Sequence, residues 1–184
     1  MTDSESLSFL KLFLEDQATL MRKIHSKPDW KYGGFEELVL DCGLEMEAGP
    51  LPKGIKLGLP KSCYWNCQKL ISKRKNLFYV EGYVLNREIS FPIAHAWLTT
   101  KNKEVIDPTL REPGIYYFGI PFSTQWIKNL IKSRKKRNNI SIFEGNYIEK
   151  YSLLVQGLPA EALACLDEPS LKSQDTSHCS SSLI

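Results

Sequence analysis

The chain has 184 residues, 42% hydrophobic and 24% charged, and its 24 basic side chains against 21 acidic ones leave a formal net charge of only +3. A chain of this size reads as one ordinary soluble domain, able to bury roughly 70% of its unfolded surface without disulfide or metal staples. So small a net charge supplies no global field for packaging nucleic acid or holding a membrane surface.

The first residues, MTDSESLSFLKLFLEDQ, place acids before and among the apolar positions, unlike a secretory signal. No apolar run approaches the roughly 18 uncharged residues of a membrane span. A cytoplasmic location is therefore expected. The five cysteines, at 42, 63, 67, 165 and 179, are odd in number and unevenly spaced, so a disulfide framework is not expected and the thiols stay available for chemistry.

Apolar residues at Leu7, Leu10, Phe13, Leu14, Leu20, Met21 and Ile24 recur three or four apart and predict an amphipathic packing helix that ends before Pro28. From Lys31 to Lys61 the density of Gly and Pro predicts connecting structure around short elements such as FEELVLDC. SCYWNCQKLISKR lacks both breakers and predicts a helix starting near Ser62, with Ser62 as its N-cap. LFYVEGYVL, ISFPIAHAWLT and the short EVID predict three antiparallel strands, joined by turns at Asn86-Arg87 and at Lys101-Asn102-Lys103. After Pro113-Gly114 comes YYFGIPFS, then a helix from about Thr124 to Lys135 capped by Ser123. Gly145 to Leu166 reads as one or two helices broken at Gly157-Leu158-Pro159. The domain is expected to span residues 1–167, and the Ser-rich residues 168–184 to be disordered.

Acyl transfer by a thiol needs a Cys held as thiolate, a His as base and acid, and a third group that fixes the imidazole. Cys63 falls at the start of the predicted helix, where unpaired N–H groups and the helix dipole favour a thiolate and can hold an oxyanion. His95 lies mid-strand in PIAHAW, with Ala94 and Ala96 on the opposite face and Ile93 and Trp97 on its own. A helix packed on that face would meet the imidazole. Asp107, in VIDPT, falls on the next strand, where its carboxylate can orient His95 before Pro108 ends the strand. Each residue alone has a blander reading: an inert buried thiol, a satisfied core His, a turn-forming Asp.

The motifs CYWN, YVEGY, HAWL and VIDPT, followed by YFGIPF from Tyr117 to Phe122, resemble the core of the transglutaminase-like superfamily within the papain-like cysteine-enzyme fold. They are especially similar to small bacterial and phage proteins with C-[FY]-x-N, Y-V-E-G, H-A-W and D-P-T. The resemblance implies that Cys63 is the nucleophile, His95 the general base and acid, and Asp107 the residue orienting His95. The expected fold is α+β: a nucleophile helix packed on a small antiparallel sheet, with flanking helices outside. The expected chemistry is hydrolysis, deamidation or transamidation of a protein, peptide or small amide or ester, with no cofactor.

Cys67 is the rival nucleophile, one turn further into the helix, where the unpaired N–H groups have run out. Asn66, Tyr79 and Glu81 are candidates for lining the site, Tyr79, Glu81 and Tyr83 sharing one strand face. Trp97 is expected as a lid or wall on the imidazole. Competing readings are a non-catalytic binding module of the same fold and a zinc site from Cys42, Cys63, Cys67 and His95, although C-x3-C with one distant His lacks a structural-zinc spacing. No metal is expected. The basic run Lys132, Arg134, Lys135, Lys136 and Arg137 reads as a solvated helix end, with nucleic-acid binding the lesser alternative. The His178-Cys179 pair reads as incidental, and nothing in the sequence assigns Cys165 a role.

Overall fold

The computed structural model describes residues 3–25, 27–134 and 140–166. The tail 168–184, Lys135, Lys136 and Arg137 lie outside the described residues.

Helix α1 (Asp3–His25) opens the chain and stops before Pro28, whose ring forbids the helical backbone at the residue ahead of it. Its Leu10 and Leu14 are fully buried, each burial stabilising by about 1.5–3 kcal/mol, whereas Leu20 and Ile24 stay exposed. FEELVLDC forms α2 (Phe35–Cys42), and β1 (Leu44–Met46) follows. After a long loop come α3 (Cys63–Ile71), β2 (Phe78–Asn86), β3 (Phe91–Thr99), β4 (Val105–Ile106), β5 (Tyr116–Phe122) and α4 (Thr124–Ser133). Ser123 caps α4, its hydroxyl accepting from Trp126 N. Ser62 occupies the N-cap position of α3 but does not cap it: its hydroxyl donates to Pro60 O at 3.2 Å.

The segment after residue 140 is less helical than its apolar spacing predicts. A 3-10 helix (Glu144–Glu149), a single turn α5 (Ser152–Val155) and a 3-10 turn (Ala160–Ala162) replace the longer helices. Lys150 and Tyr151 both take left-handed φ, 54° and 60°, which no helix can run through.

The fold is α+β, with one antiparallel five-stranded sheet in the order β1-β5-β2-β3-β4. The expected meander β2-β3-β4 is present, extended on its other side by β5 and β1. Period-two alternation divides the sheet's side chains. Tyr79, Tyr83, Ala96, Leu98, Phe118, Ile120 and Phe122 enter the larger core together with α1, α2, α3 and α4. Val80, Val84, Trp97, Tyr117 and Met46 form a smaller core on the opposite face. Thus α3 packs on the alanine face of β3, not on the Ile93/Trp97 face expected from the sequence; Cys67 Sγ donates to Ala96 O at 3.4 Å.

No helix among the described residues is long and apolar enough to cross a membrane.

Candidate active site

His95 lies in the middle of β3 and is 4% exposed. Strand β4 pairs only with Leu98 and Thr99, so beside His95 the outer edge of β3 carries no strand, and the Cys63 side chain lies within hydrogen-bonding reach of the imidazole.

Asp107 has already left β4, one residue past its end. Its Oδ1 accepts from the backbone N–H groups of Thr109 and Leu110 at 2.9 and 3.2 Å, so the turn and the orienting role are one structure. The other oxygen, Oδ2, accepts from His95 Nε2 at 2.8 Å and from the Tyr117 hydroxyl at 3.0 Å. Tyr117 in turn accepts from Gly114 N at 2.9 Å. Four donors thus converge on the two oxygens, and the carboxylate cannot rotate without breaking several bonds at once.

The electrostatics follow from this arrangement. Burial opposes charge on the imidazole, but the Asp107 and Cys63 side chains outweigh it and raise His95 to about 9. Burial also opposes the Asp107 carboxylate, yet the bond from His95 and those from the two backbone N–H groups hold it below the usual carboxylate range. With Asp107 on Nε2, Nδ1 is the ring atom left to exchange a proton with Cys63.

Cys63 is the first residue of α3 and half-buried. Asn66 N takes the Ser62 carbonyl as the first intrahelical bond, leaving the N–H groups of Cys63 and Tyr64 without an intrahelical acceptor. Cys67, fully buried, is unsuited to meet a substrate; burial, and then the charge of Asp107, push its thiol well above the ordinary range. Cys42 belongs to a separate cluster with Tyr32 and Asp41. The four residues of the zinc reading therefore do not converge, and among the described residues no group of three or more His, Cys, Asp or Glu is placed to hold a metal ion.

Trp97 is fully buried and stacks near the imidazole, ring centroids 6.4 Å apart at 16°, with its Nε1 donating to Met46 Sδ at 3.2 Å. It is a wall beneath His95 and not a lid. Glu81 is 1% exposed and accepts from Tyr79 OH, from Ser141 Oγ at 2.7 Å and from the N–H groups of Ile142 and Phe143. Burial pushes this carboxyl up in spite of those four donors. Glu81 thereby pins the 141–143 segment against β2, and a groove of about 190 Å³ opens between them beside His95. Its walls include Glu36, Tyr64, Glu81, Tyr83 and Glu144, an acidic and aromatic lining. Burial and then the adjacent carboxylates push the Tyr64 and Tyr83 phenols up, so both remain neutral donors.

Two sequence candidates lie elsewhere. Tyr79 is fully buried behind Glu81 and does not line the groove. Asn66 faces away from His95: its side chain accepts from Leu59 N at 3.1 Å and donates to Leu59 O at 2.8 Å and Thr109 Oγ1 at 3.0 Å. It fastens the loop before α3 to the turn after Asp107. Ser141 and Glu36 were not visible as site residues, since each reaches the groove from a remote part of the chain, and Tyr117, ten residues from Asp107, carried no signal beyond its place in YFGIPF.

No family model, curated protein or solved structure matches the chain. The chemistry has to be argued from the residues themselves.

Proposed function

We propose that the protein is a cysteine-dependent acyl-transfer enzyme of the transglutaminase-like, papain-like type, with Cys63 as nucleophile, His95 as acid and base, and Asp107 as the group that orients His95. The observation that carries this reading is the buried His95–Asp107 pair, held at 2.8 Å, with the first residue of a helix set against the same imidazole. A solitary core histidine needs one partner; here a second one arrives on a half-buried thiol.

In the first step the Cys63 sulfur forms a bond to the carbonyl carbon of an amide or ester, and the oxyanion takes up N–H groups at the α3 N-terminus. The carbon–nitrogen or carbon–oxygen bond then breaks, and His95, protonated at neutral pH, gives its proton to the leaving amine or alcohol. Water or an incoming amine attacks the thioester in the second step. His95 takes the proton of that nucleophile and Cys63 leaves as the thiolate, which restores the thiolate–imidazolium pair that began the first step. No cofactor is needed for either step. The acyl donor is a protein, peptide or small amide or ester admitted beside His95.

The test is to trap the intermediate. Incubation with an activated ester, followed by intact-mass and peptide mass spectrometry, should place one acyl group on Cys63 in the wild type, and none there in Cys63→Ala or His95→Ala. Equal acylation of Cys63 without His95 would overturn the reading.

A further inference from the structure

From Ala48 to Val80 the chain carries seven Lys or Arg residues and no Asp or Glu. That is a charge of +7 in a protein whose total is +3. Among the described residues none of these seven is in an ion pair. Such segregation is lost when a chain merely needs solubility, because mixed signs on a surface serve that purpose with less self-repulsion.

Two of the seven, Lys56 and Lys69, line a groove of about 470 Å³ on the flank of α3 turned away from Glu81 and the acidic groove. Its floor is apolar: Leu57, Leu59, Trp65, Leu70 and Pro108. Three of these are open to solvent, Leu57 at 47%, Leu59 at 60% and Trp65 at 36%. Lys56 and Lys69 stand at its rim, and Lys69 Nζ lies over the Trp65 ring at 5.8 Å. The loop before α3 is tethered at two residues. Gly58 N donates to Pro108 O at 2.7 Å, and Asn66 grips both backbone polar groups of Leu59. These bonds hold the loop at Gly58 and Leu59 against α3 and the turn at Pro108, with the leucine side chains on either side of Gly58 displayed to solvent.

We propose that this face is a docking site for an acidic polypeptide segment carrying large apolar side chains. Charge complementarity fixes the sign of the partner, since an unopposed basic rim attracts carboxylates. The floor fixes its class. Leucines and a proline bury apolar side chains, whereas a single-stranded nucleic acid wants successive aromatic platforms, and Trp65 is the sole aromatic ring lining this groove. The inference does not depend on the role of Cys63.

The experiment uses the full chain and a short fluorescein-labelled peptide of alternating glutamates and leucines, with fluorescence anisotropy as readout. Saturable binding is expected, weakened by added salt, reduced about tenfold or more by the double variant Lys56→Glu/Lys69→Glu, and reduced likewise by Trp65→Ala. Both substitutions fall on the surface, and unchanged circular dichroism would show that the fold persists. A control peptide with serine in place of glutamate should bind far more weakly. Absence of saturable binding, binding indifferent to both variants, or tighter binding of an oligothymidylate than of the peptide would each overturn the proposal, the last by giving the surface to nucleic acid.

Discussion

His95 Nε2 donates to Asp107 Oδ2 at 2.8 Å, and the two side chains are each only 4% exposed. Removing the charge of one partner while keeping its shape should therefore act mainly on the other. In Asp107→Asn one acceptor oxygen becomes an NH2 group; with the amide oxygen kept by the Thr109 and Leu110 N–H groups, the NH2 faces Nε2, which must then be a deprotonated acceptor, so the proton donor of the proposed first step is lost at neutral pH. Turnover of an activated ester is expected to fall by about 10²- to 10⁴-fold, with iodoacetamide labelling of Cys63 near neutral pH slowed in parallel. Labelling of exposed Cys165 serves as the internal reference and should not change. Wild-type turnover in this variant would remove Asp107 from the mechanism.

The raised His95 also makes stability depend on pH. A group lifted from 6.5 in the unfolded chain to about 9 in the fold stabilises fully below the lower value and loses that contribution as pH rises through the upper one. The interaction with Asp107 is one free energy seen from both partners and is counted once. Its span corresponds to at most about 3 kcal/mol. Urea unfolding of wild type and His95→Gln should accordingly show a stability difference that shrinks by up to that amount from pH 6.5 to just above 9. A difference that stays constant across this window would mean the imidazole is not charged in the fold.

Glu81 gives a different kind of prediction, because its two oxygens answer four donors. Glu81→Gln keeps the volume but turns an NH2 group toward donors that need an acceptor. At least one of Ser141, Ile142 and Phe143 loses its partner in a buried place, at a cost of about 1–3 kcal/mol or more. Hydrogen exchange should localise the loss to 141–143 and β2 while α1 remains protected. Exchange rising uniformly over the whole chain would argue instead for a general loss of packing and against a pinned segment.

The helix start at Cys63, the strand through His95 and the strand end beside Asp107 were legible in the sequence from the absence of breakers, the β-branched and aromatic run, and Pro108. Which side the helix takes was not. Alternation along β3 tells that Ile93, His95 and Trp97 share a face, but not which face α3 covers, and the bare outer edge beside His95 follows from the shortness of β4. Strand β5 was hard to read for a local reason. Gly119 and Pro121 look like breakers, yet β1 pairs only with Tyr117 to Gly119, so at Pro121 no strand waits for the missing N–H on that side. The roles of Glu81 and Asn66 rest on contacts 60 and 43 residues away, which no local pattern announces.

The support beneath His95 can be tested through a residue that touches neither Cys63 nor Asp107. Gly119 faces Gly82 across β5 and β2, and Gly82 faces His95 across β2 and β3. A Cβ at Gly119 would come within 2.6 Å of Trp97 Cη2 and 2.7 Å of Glu81 O. The strand backbone cannot yield to relieve the second contact without breaking its ladder, so in Gly119→Ala the strain falls on Trp97, the ring stacked near His95. Destabilisation of about 1–3 kcal/mol is expected, together with a shift of the His95 ring resonances in NMR. The control is Gly49→Ala, where an added Cβ meets nothing within 4 Å and neither quantity should move. If Gly119→Ala alters stability but leaves the His95 resonances and their titration untouched, Trp97 fills the small core without positioning the imidazole.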